Sequence, residues 1–181
     1  MNQPATKVLV IGYVWPEPRS SAAGGHMMQI LETFLTQDWD ITFSSPAALG
    51  EHKADLLALG IAECAIELNN SSFDDFIRDL APDIVLFDRF MMEEQFGWRV
   101  EQQCPNALRL LDTEDLHFLR LARQQAFKAG REVTLQDLHS EQAQREIAAI
   151  YRVLAVFCPI MLSPVYCSEN WGFCGFSRKM V

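Results

Sequence analysis

The densest group of chemically capable side chains lies between residues 112 and 123. It contains three carboxylates, one histidine and two arginines: Asp112, Glu114, Asp115, His117, Arg120 and Arg123. A positioned carboxylate or imidazole supplies a general acid or base, and arginines one helical turn apart can bind a phosphate. Asp112 and Asp115 also fit as helix caps, and a metal site is a third interpretation. We predict a ligand site, with Asp112, Asp115 and His117 as catalytic candidates and Glu114 and Arg120 as substrate-binding candidates.

A second candidate stretch is the loop that ends in Gly24, Gly25 and His26. Its glycines lack the spacing of a dinucleotide-binding fingerprint, and His26 stands where a Walker A motif has lysine. The second predicted strand also ends in serines rather than in an acidic residue. Glycines allow the backbone to approach a phosphate or a sugar closely. A tight turn between the loop and a helix is the alternative interpretation.

A third candidate pair is Asp88 and Arg89, which directly follow the apolar run 84–87. Such a run predicts a buried strand. In parallel α/β sheets, ligands bind at the carboxyl ends of the strands. We therefore predict that Asp88 and Arg89 contact substrate.

Strands and helices that position these residues are predicted to alternate along the chain. Strands are predicted at 8–11, 39–43, 63–68, 84–87, 107–111 and 153–157, and helices at 24–35, 52–59, 73–80, 91–103, 116–128 and 135–151. This alternation predicts an α/β fold, with a doubly wound, mostly parallel, Rossmann-like sheet in a single domain. The predicted domain covers residues 1–152.

Residues 153–181 form an atypical C-terminal tail with little charge and three of the five cysteines. One interpretation is an apolar segment that packs against the sheet. The other is a non-native tail, produced by a frameshift or a truncated reading frame. The odd cysteine count and the absence of a CxxC pair favour free thiols.

Composition restricts the function further. The formal net charge of -9 argues against non-specific nucleic-acid binding, so we expect no nucleic-acid partner. No apolar run reaches the roughly 18 residues of a membrane span, and the polar N-terminus does not have the pattern of a signal peptide. These features predict a cytoplasmic protein without an integral membrane segment.

Three of these stretches resemble one enzyme family. The Gly24-Gly25-His26 helix start, FDRFMMEEQFGW and LLDTEDLHFLR are similar to motifs in the N-terminal half of GT-B-fold, family-4-type retaining glycosyltransferases. The resemblance covers about residues 7–152. It implies that Gly24 and Gly25 contact the donor phosphates, and that Asp112, Asp115 and His117 line the acceptor side.

The resemblance also implies a substrate class. The donor is a nucleotide sugar, the acceptor is a glycan, a lipid or a protein, and neither a metal nor a further cofactor is needed. Complete enzymes of this family have a second, donor-binding domain, so enzymatic activity is uncertain and we expect the chain to be inactive alone. The uncovered surface predicts self-association, as a homodimer or by aggregation. The alternative function is a stand-alone Rossmann-like or flavodoxin-like module for a small anionic ligand or a protein partner.

Overall fold

A computed structural model describes residues 4–157, which form a six-stranded parallel sheet with helices on both faces. The strands are β1 Lys7–Ile11, β2 Asp40–Ser45, β3 Ala62–Ala65, β4 Ile84–Asp88, β5 Leu108–Asp112 and β6 Ala155–Phe157. The helices are α1 Ala22–Leu35, α2 Ser72–Leu80, α3 Phe90–Gln103, α4 His117–Lys128 and α5 Glu141–Arg152. The predicted α/β, doubly wound, Rossmann-like fold is confirmed.

The central strands are apolar throughout because both of their faces are covered. Leu9 and Val85 pack into the core on one face of the sheet. Their neighbours Val10 and Leu86 pack into the core on the other face. Successive side chains of a strand point to opposite faces, so a strand covered by helices on both sides reads as a continuous apolar run.

The order of the strands places a crevice at one point of the sheet. The spatial order is β3-β2-β1-β4-β5-β6, so the chain moves outward from β1 to β3 and then resumes beside β1 with β4. The loops after β1 and β4 consequently leave the sheet in opposite directions. Ligands of open α/β sheets bind at this switch point, outside the carboxyl ends of the strands.

Helix α1 begins two residues earlier than the sequence predicts. Its N-cap is Ser21, whose side chain accepts a hydrogen bond of 3.0 Å from the N–H of Gly24. The N–H of Gly25 donates to the Ser21 carbonyl at 3.1 Å. Gly24 and Gly25 therefore lie inside the first helical turns, and the serine, a preferred N-cap residue, sets the start.

Two predicted helices are shorter in the structure. Within 52–59, only a 3₁₀ turn at Leu57–Leu59 forms, because the N–H of Ala54 donates to the Pro16 carbonyl of a distant loop at 2.8 Å. Within 135–151, residues Leu135–Leu138 form a 3₁₀ turn and α5 begins at Glu141. The side chain of Ser140 caps this later start by accepting from the Ala143 N–H at 3.1 Å.

The sixth strand is confirmed, and it lies beyond residue 152, where the predicted domain ends. β6 pairs in parallel with β5, with Leu111 opposite Val156. Residues 158–181, including three of the cysteines, lie outside the described residues, so both interpretations of the tail stay predictions.

Among the residues described, Cys64 and Cys104 are free thiols. No helix in this part of the chain has the length and apolarity needed to cross a membrane.

Candidate functional site

Three predicted stretches meet at the carboxyl edge of the sheet. Asp88 and Asp112 end neighbouring strands and are directly opposite each other in the β4–β5 register. His26 on α1 approaches the same point, with its Nε2 atom 3.1 Å from Asp112 Oδ2. Glu114, two residues after β5, completes a group with His26 and Asp112. Residues from loops that are distant in sequence therefore form one polar site.

Asp112 is the buried centre of this site. Its side chain has 0% exposure, against 30% for His26. Its Oδ1 atom accepts a hydrogen bond of 3.1 Å from the backbone N–H of Glu114. Oδ2 and His26 Nε2 are close, but their alignment is not that of a hydrogen bond, and both atoms lack a hydrogen-bond partner among the described residues. The Asp112 oxygen and the His26 nitrogen are therefore in contact without forming a well-aligned hydrogen bond.

Arg89 is held beside the site in a strained backbone conformation. Its φ of 71° lies in a region that non-glycine residues seldom adopt. The N–H of Arg89 donates to the Asp112 carbonyl at 2.7 Å, which ties the end of β4 to the end of β5. Its guanidinium lies over the ring of Tyr13, with 5.0 Å between the guanidinium carbon and the ring centroid. Backbone strain of this kind clusters at functional sites.

Burial changes the acidity of the three carboxyl groups at this edge. Loss of solvent raises the pKa of Asp88 to about 6, although Arg89 and the Tyr13 N–H, which donates to Asp88 at 3.0 Å, act in the opposite direction. Burial also raises the pKa of Asp112. The pKa of Glu114 is raised by burial and by the neighbouring charge of Asp112. Burial therefore makes the ionised form of each of these carboxyl groups less favourable.

A cleft of about 230 Å³ opens next to Asp88 and Arg89, at the switch point. Its other walls come from the loop after β1 and from the start of α1, including Trp15, Glu17, Ser21 and Gly24. A Cβ atom on Gly24 would lie 2.5 Å from the backbone of Glu17, so this loop packs directly on the helix. By contrast, a Cβ atom on Gly25 would meet nothing within 4 Å. Gly24 thus shapes the cleft by allowing close contact.

The remaining sequence-predicted residues, Asp115, His117 and Arg120, lie around the start of α4. Their polar atoms contact other groups of the protein. Asp115 Oδ2 is 2.8 Å from the Nε of Arg120, whose side chain is mostly exposed. His117 Nδ1 is 3.0 Å from the Asp115 carbonyl and 3.4 Å from Glu146 Oε1. The ring of His117 also packs edge-on against Phe90. Asp115, His117 and Arg120 therefore have local structural contacts at the rim of the site.

Glu146 is an important residue that the sequence did not indicate. It is fully buried on α5, and its carboxylate accepts hydrogen bonds from the N–H groups of His117 and Phe118 at 3.0 and 2.9 Å. These N–H groups open α4, so Glu146 replaces a local N-cap, and its negative charge suits the helix start. The partners are almost thirty residues apart, so no short motif could have revealed the contact.

Two glutamates near the start of α3, Glu93 and Glu94, have partners on α5. Arg152 Nε donates to Glu93 Oε1 at 2.9 Å, and Glu93 is almost fully buried. Arg145 Nε donates to Glu94 Oε1 at 2.8 Å. These ion pairs attach α5 to α3 and support the structure behind the site.

Comparison with known proteins gives a similarity in fold. No protein-family model and no curated protein matches the chain. One similar solved structure is an alpha-glucosyltransferase in complex with UDP and a 13-mer DNA containing a HMU base. The similarity has a TM-score of 0.50 at 9% identity and covers 86% of this chain and 38% of that chain.

At this identity the similarity shows the fold alone. This chain spans little more than a third of the length of that structure. The narrower prediction of a family-4 retaining type stays a prediction. That structure contains DNA, and the expectation that this chain has no nucleic-acid partner stays a prediction. The comparison therefore shows that the described domain has a Rossmann-like α/β fold that also occurs in a glycosyltransferase.

Proposed function

We propose that this chain is the N-terminal, acceptor-side half of a nucleotide-sugar-dependent glycosyltransferase. One observation carries the proposal: His26, Asp88, Arg89, Asp112 and Glu114 meet beside a cleft at the switch point of the sheet. The similarity in fold to a UDP-bound alpha-glucosyltransferase supports the same conclusion. The family-4 retaining type is part of the proposal on the basis of the three sequence motifs.

The chemistry of the site suits a sugar with an attached phosphate. Carboxylates such as Asp88 and Glu114 accept hydrogen bonds from sugar hydroxyl groups. Arg89 offers a planar guanidinium, which recognises phosphate oxygens in a bidentate manner. The first turn of α1 at the cleft adds a helix N-terminus, where negative charge is favoured. We retain Asp112 as a catalytic candidate, and place Asp115, His117 and Arg120 at the acceptor rim.

Binding to the 181-residue protein is the first test. Isothermal titration calorimetry with UDP-glucose, UDP and flavin mononucleotide compares a sugar nucleotide with the ligand of a flavodoxin-like module. We expect saturable binding of UDP-glucose or UDP, and weaker binding by Arg89→Ala. Arg78→Ala is the matched control, because it removes an arginine in the last turn of α2 whose side chain is 54% exposed and paired with Asp75.

The outcome discriminates between the two functions. Binding of flavin mononucleotide alone, or of none of the three ligands, would favour the stand-alone binding module instead. Equal affinity in Arg89→Ala and Arg78→Ala would show that Arg89 does not bind the nucleotide. We further expect little sugar transfer by these 181 residues, since transfer requires donor and acceptor to be held in one geometry. Rapid transfer to a glycan or lipid acceptor would refute this last expectation.

Self-association is also part of the proposal. Phe127 on α4 and Tyr151 on α5 are highly exposed, at 86% and 76% within the described residues. Exposed aromatic side chains of this size favour association when they form a patch. Sedimentation velocity over a range of concentrations tests for a homodimer, and a monomer at every concentration would contradict it.

A further inference from the structure

Three potential metal ligands converge at the carboxyl end of β5. His26, Asp112 and Glu114 each offer one ligand atom, and these atoms all lie within 4.8 Å of one another. They come from α1, from the last residue of β5 and from the turn that follows. The site therefore depends on the fold and is not a run of acidic residues on one loop.

Two of these ligand atoms lie 3.1 Å apart, within the distance of an ion pair, but without the alignment of a hydrogen bond. Asp112 Oδ2 and His26 Nε2 are buried atoms without a hydrogen-bond partner, and the Asp112 side chain has no exposure. Burying a polar atom without a hydrogen-bond partner costs free energy, and an ion that binds at the site is one explanation for such an atom. The other Asp112 oxygen is fixed by the Glu114 N–H at 3.1 Å. This bond orients the free oxygen towards His26.

The separation of the two atoms fits neighbouring ligands of one cation. Nitrogen and oxygen ligands lie about 2.0–2.2 Å from a bound divalent transition metal, so adjacent ligand atoms are about 3.0–3.5 Å apart. The observed distance between His26 Nε2 and Asp112 Oδ2 is 3.1 Å. A direct hydrogen bond would have a similar length but requires an alignment that this pair lacks. In coordination of a shared ion, the lone pairs of both atoms point at the ion and not at each other.

Charge at this edge also favours a cation. Asp88, Asp112 and Glu114 contribute three carboxyl groups, whereas Arg89 is the permanent positive charge that acts on all three. Carboxylates that share a site repel each other unless a cation or a proton lies between them. The three carboxylates and Arg89 together carry a formal charge of -2, which one divalent ion would offset.

We propose that His26, Asp112 and Glu114 form a binding site for one divalent transition-metal cation, of the class that accepts mixed nitrogen and oxygen ligands, such as Mn²⁺. Three protein ligands leave coordination positions open for water or for an anionic ligand from the adjacent cleft. This proposal departs from the expectation of no metal, which came from the family resemblance and stays a prediction until the ion is titrated. The metal site does not depend on the proposed glycosyltransferase function, because its test measures the ion alone.

The experiment is a Mn²⁺ titration of the full chain. The electron paramagnetic resonance signal of the free ion measures how much Mn²⁺ is bound. Mn²⁺ is preferred over Zn²⁺ because the five cysteines bind soft metals but compete poorly for a hard ion. We expect one bound Mn²⁺ per chain in wild type. His26→Ala and Glu114→Gln should each weaken binding at least about tenfold, since even supporting residues of metal sites contribute this much.

Matched controls use the same residue types elsewhere on the molecule. His139→Ala and Glu141→Gln alter exposed residues, one directly after the 3₁₀ turn at Leu135–Leu138 and one at the start of α5, and should bind Mn²⁺ as wild type does. Circular dichroism in EDTA establishes that each variant is folded before the titration. The proposal is overturned if wild type leaves the Mn²⁺ signal unchanged up to millimolar concentration. Equal affinity in His26→Ala, Glu114→Gln and wild type would overturn it as well.

Discussion

Gly24 and Gly25 are adjacent in sequence, yet the structure predicts opposite effects when each is replaced by alanine. At Gly24, the added Cβ atom would lie 2.5 Å from the carbonyl carbon and oxygen of Glu17 and 2.7 Å from its nitrogen. These are backbone atoms, so a side-chain rotation cannot relieve the clash. At Gly25, the added Cβ atom would have open space.

The difference between the two variants isolates the cost of this clash. Alanine is favoured over glycine in a helix by up to about 1 kcal/mol, and both variants share this gain. Forcing one extra carbon into a packed contact costs about 1–3 kcal/mol. We therefore expect Gly25→Ala to be as stable as wild type or up to about 1 kcal/mol more stable. Gly24→Ala should be about 1–3 kcal/mol less stable than Gly25→Ala.

Urea unfolding at 25 °C, monitored by circular dichroism, measures this difference directly. A thermal melt provides a second measurement, with a separation of about 2–4 °C per kcal/mol for a chain of this size. UDP-glucose titration of Gly24→Ala then reports whether the loop that contains Glu17 still shapes the cleft. Equal unfolding free energies for the two variants would refute the close packing of this loop on α1.

Three further outcomes follow from the buried charges. Glu146→Gln should lower the unfolding free energy by about 1–3 kcal/mol in urea titrations, since one N–H at the start of α4 loses its acceptor; an unchanged midpoint would contradict this capping role. Asp88→Asn should stabilise the metal-free protein above pH 6. The pKa of Asp88 is raised from the ordinary 3.8 to about 6, so the wild-type native state loses stability as pH rises between these values, and the variant does not. The shift corresponds to at most about 3 kcal/mol of unfolding free energy, and parallel pH–stability curves for variant and wild type would refute the prediction. Arg152→Ala should destabilise more than Arg120→Ala in the same assay, since only the former leaves a buried carboxylate, Glu93, without its partner; equal losses would contradict this ranking.

The fold was predictable because the local sequence of each central strand indicates a strand. Runs such as residues 8–11 and 84–87 are apolar at every position, which indicates a strand covered on both faces. Helix boundaries were less predictable where long-range contacts decide them. The bond from Ala54 to the Pro16 carbonyl prevents the helix predicted over 52–59, although the local composition favours it.

The site was predictable in part, for a similar reason. Asp88, Arg89 and Asp112 follow apolar strands, so their location at the carboxyl edge could be inferred from the sequence. The approach of His26 to Asp112 depends on the packing of α1, which no local pattern encodes. His117 stays a catalytic prediction, and the sequence did not indicate that its Nδ1 atom would contact the Asp115 carbonyl or that its ring would pack against Phe90.

The capping of α4 by Glu146 has a consequence for the way this part of the molecule opens. An isolated helix of twelve residues is marginal in water, and α4 has its N-terminal acceptor on a different helix, α5. Undocking α5 would therefore remove the cap and expose the first amides of α4 at the same moment. Hydrogen exchange should show the amides of α4 and α5 opening as one cooperative unit, distinct from the slower-exchanging strands β1 and β4.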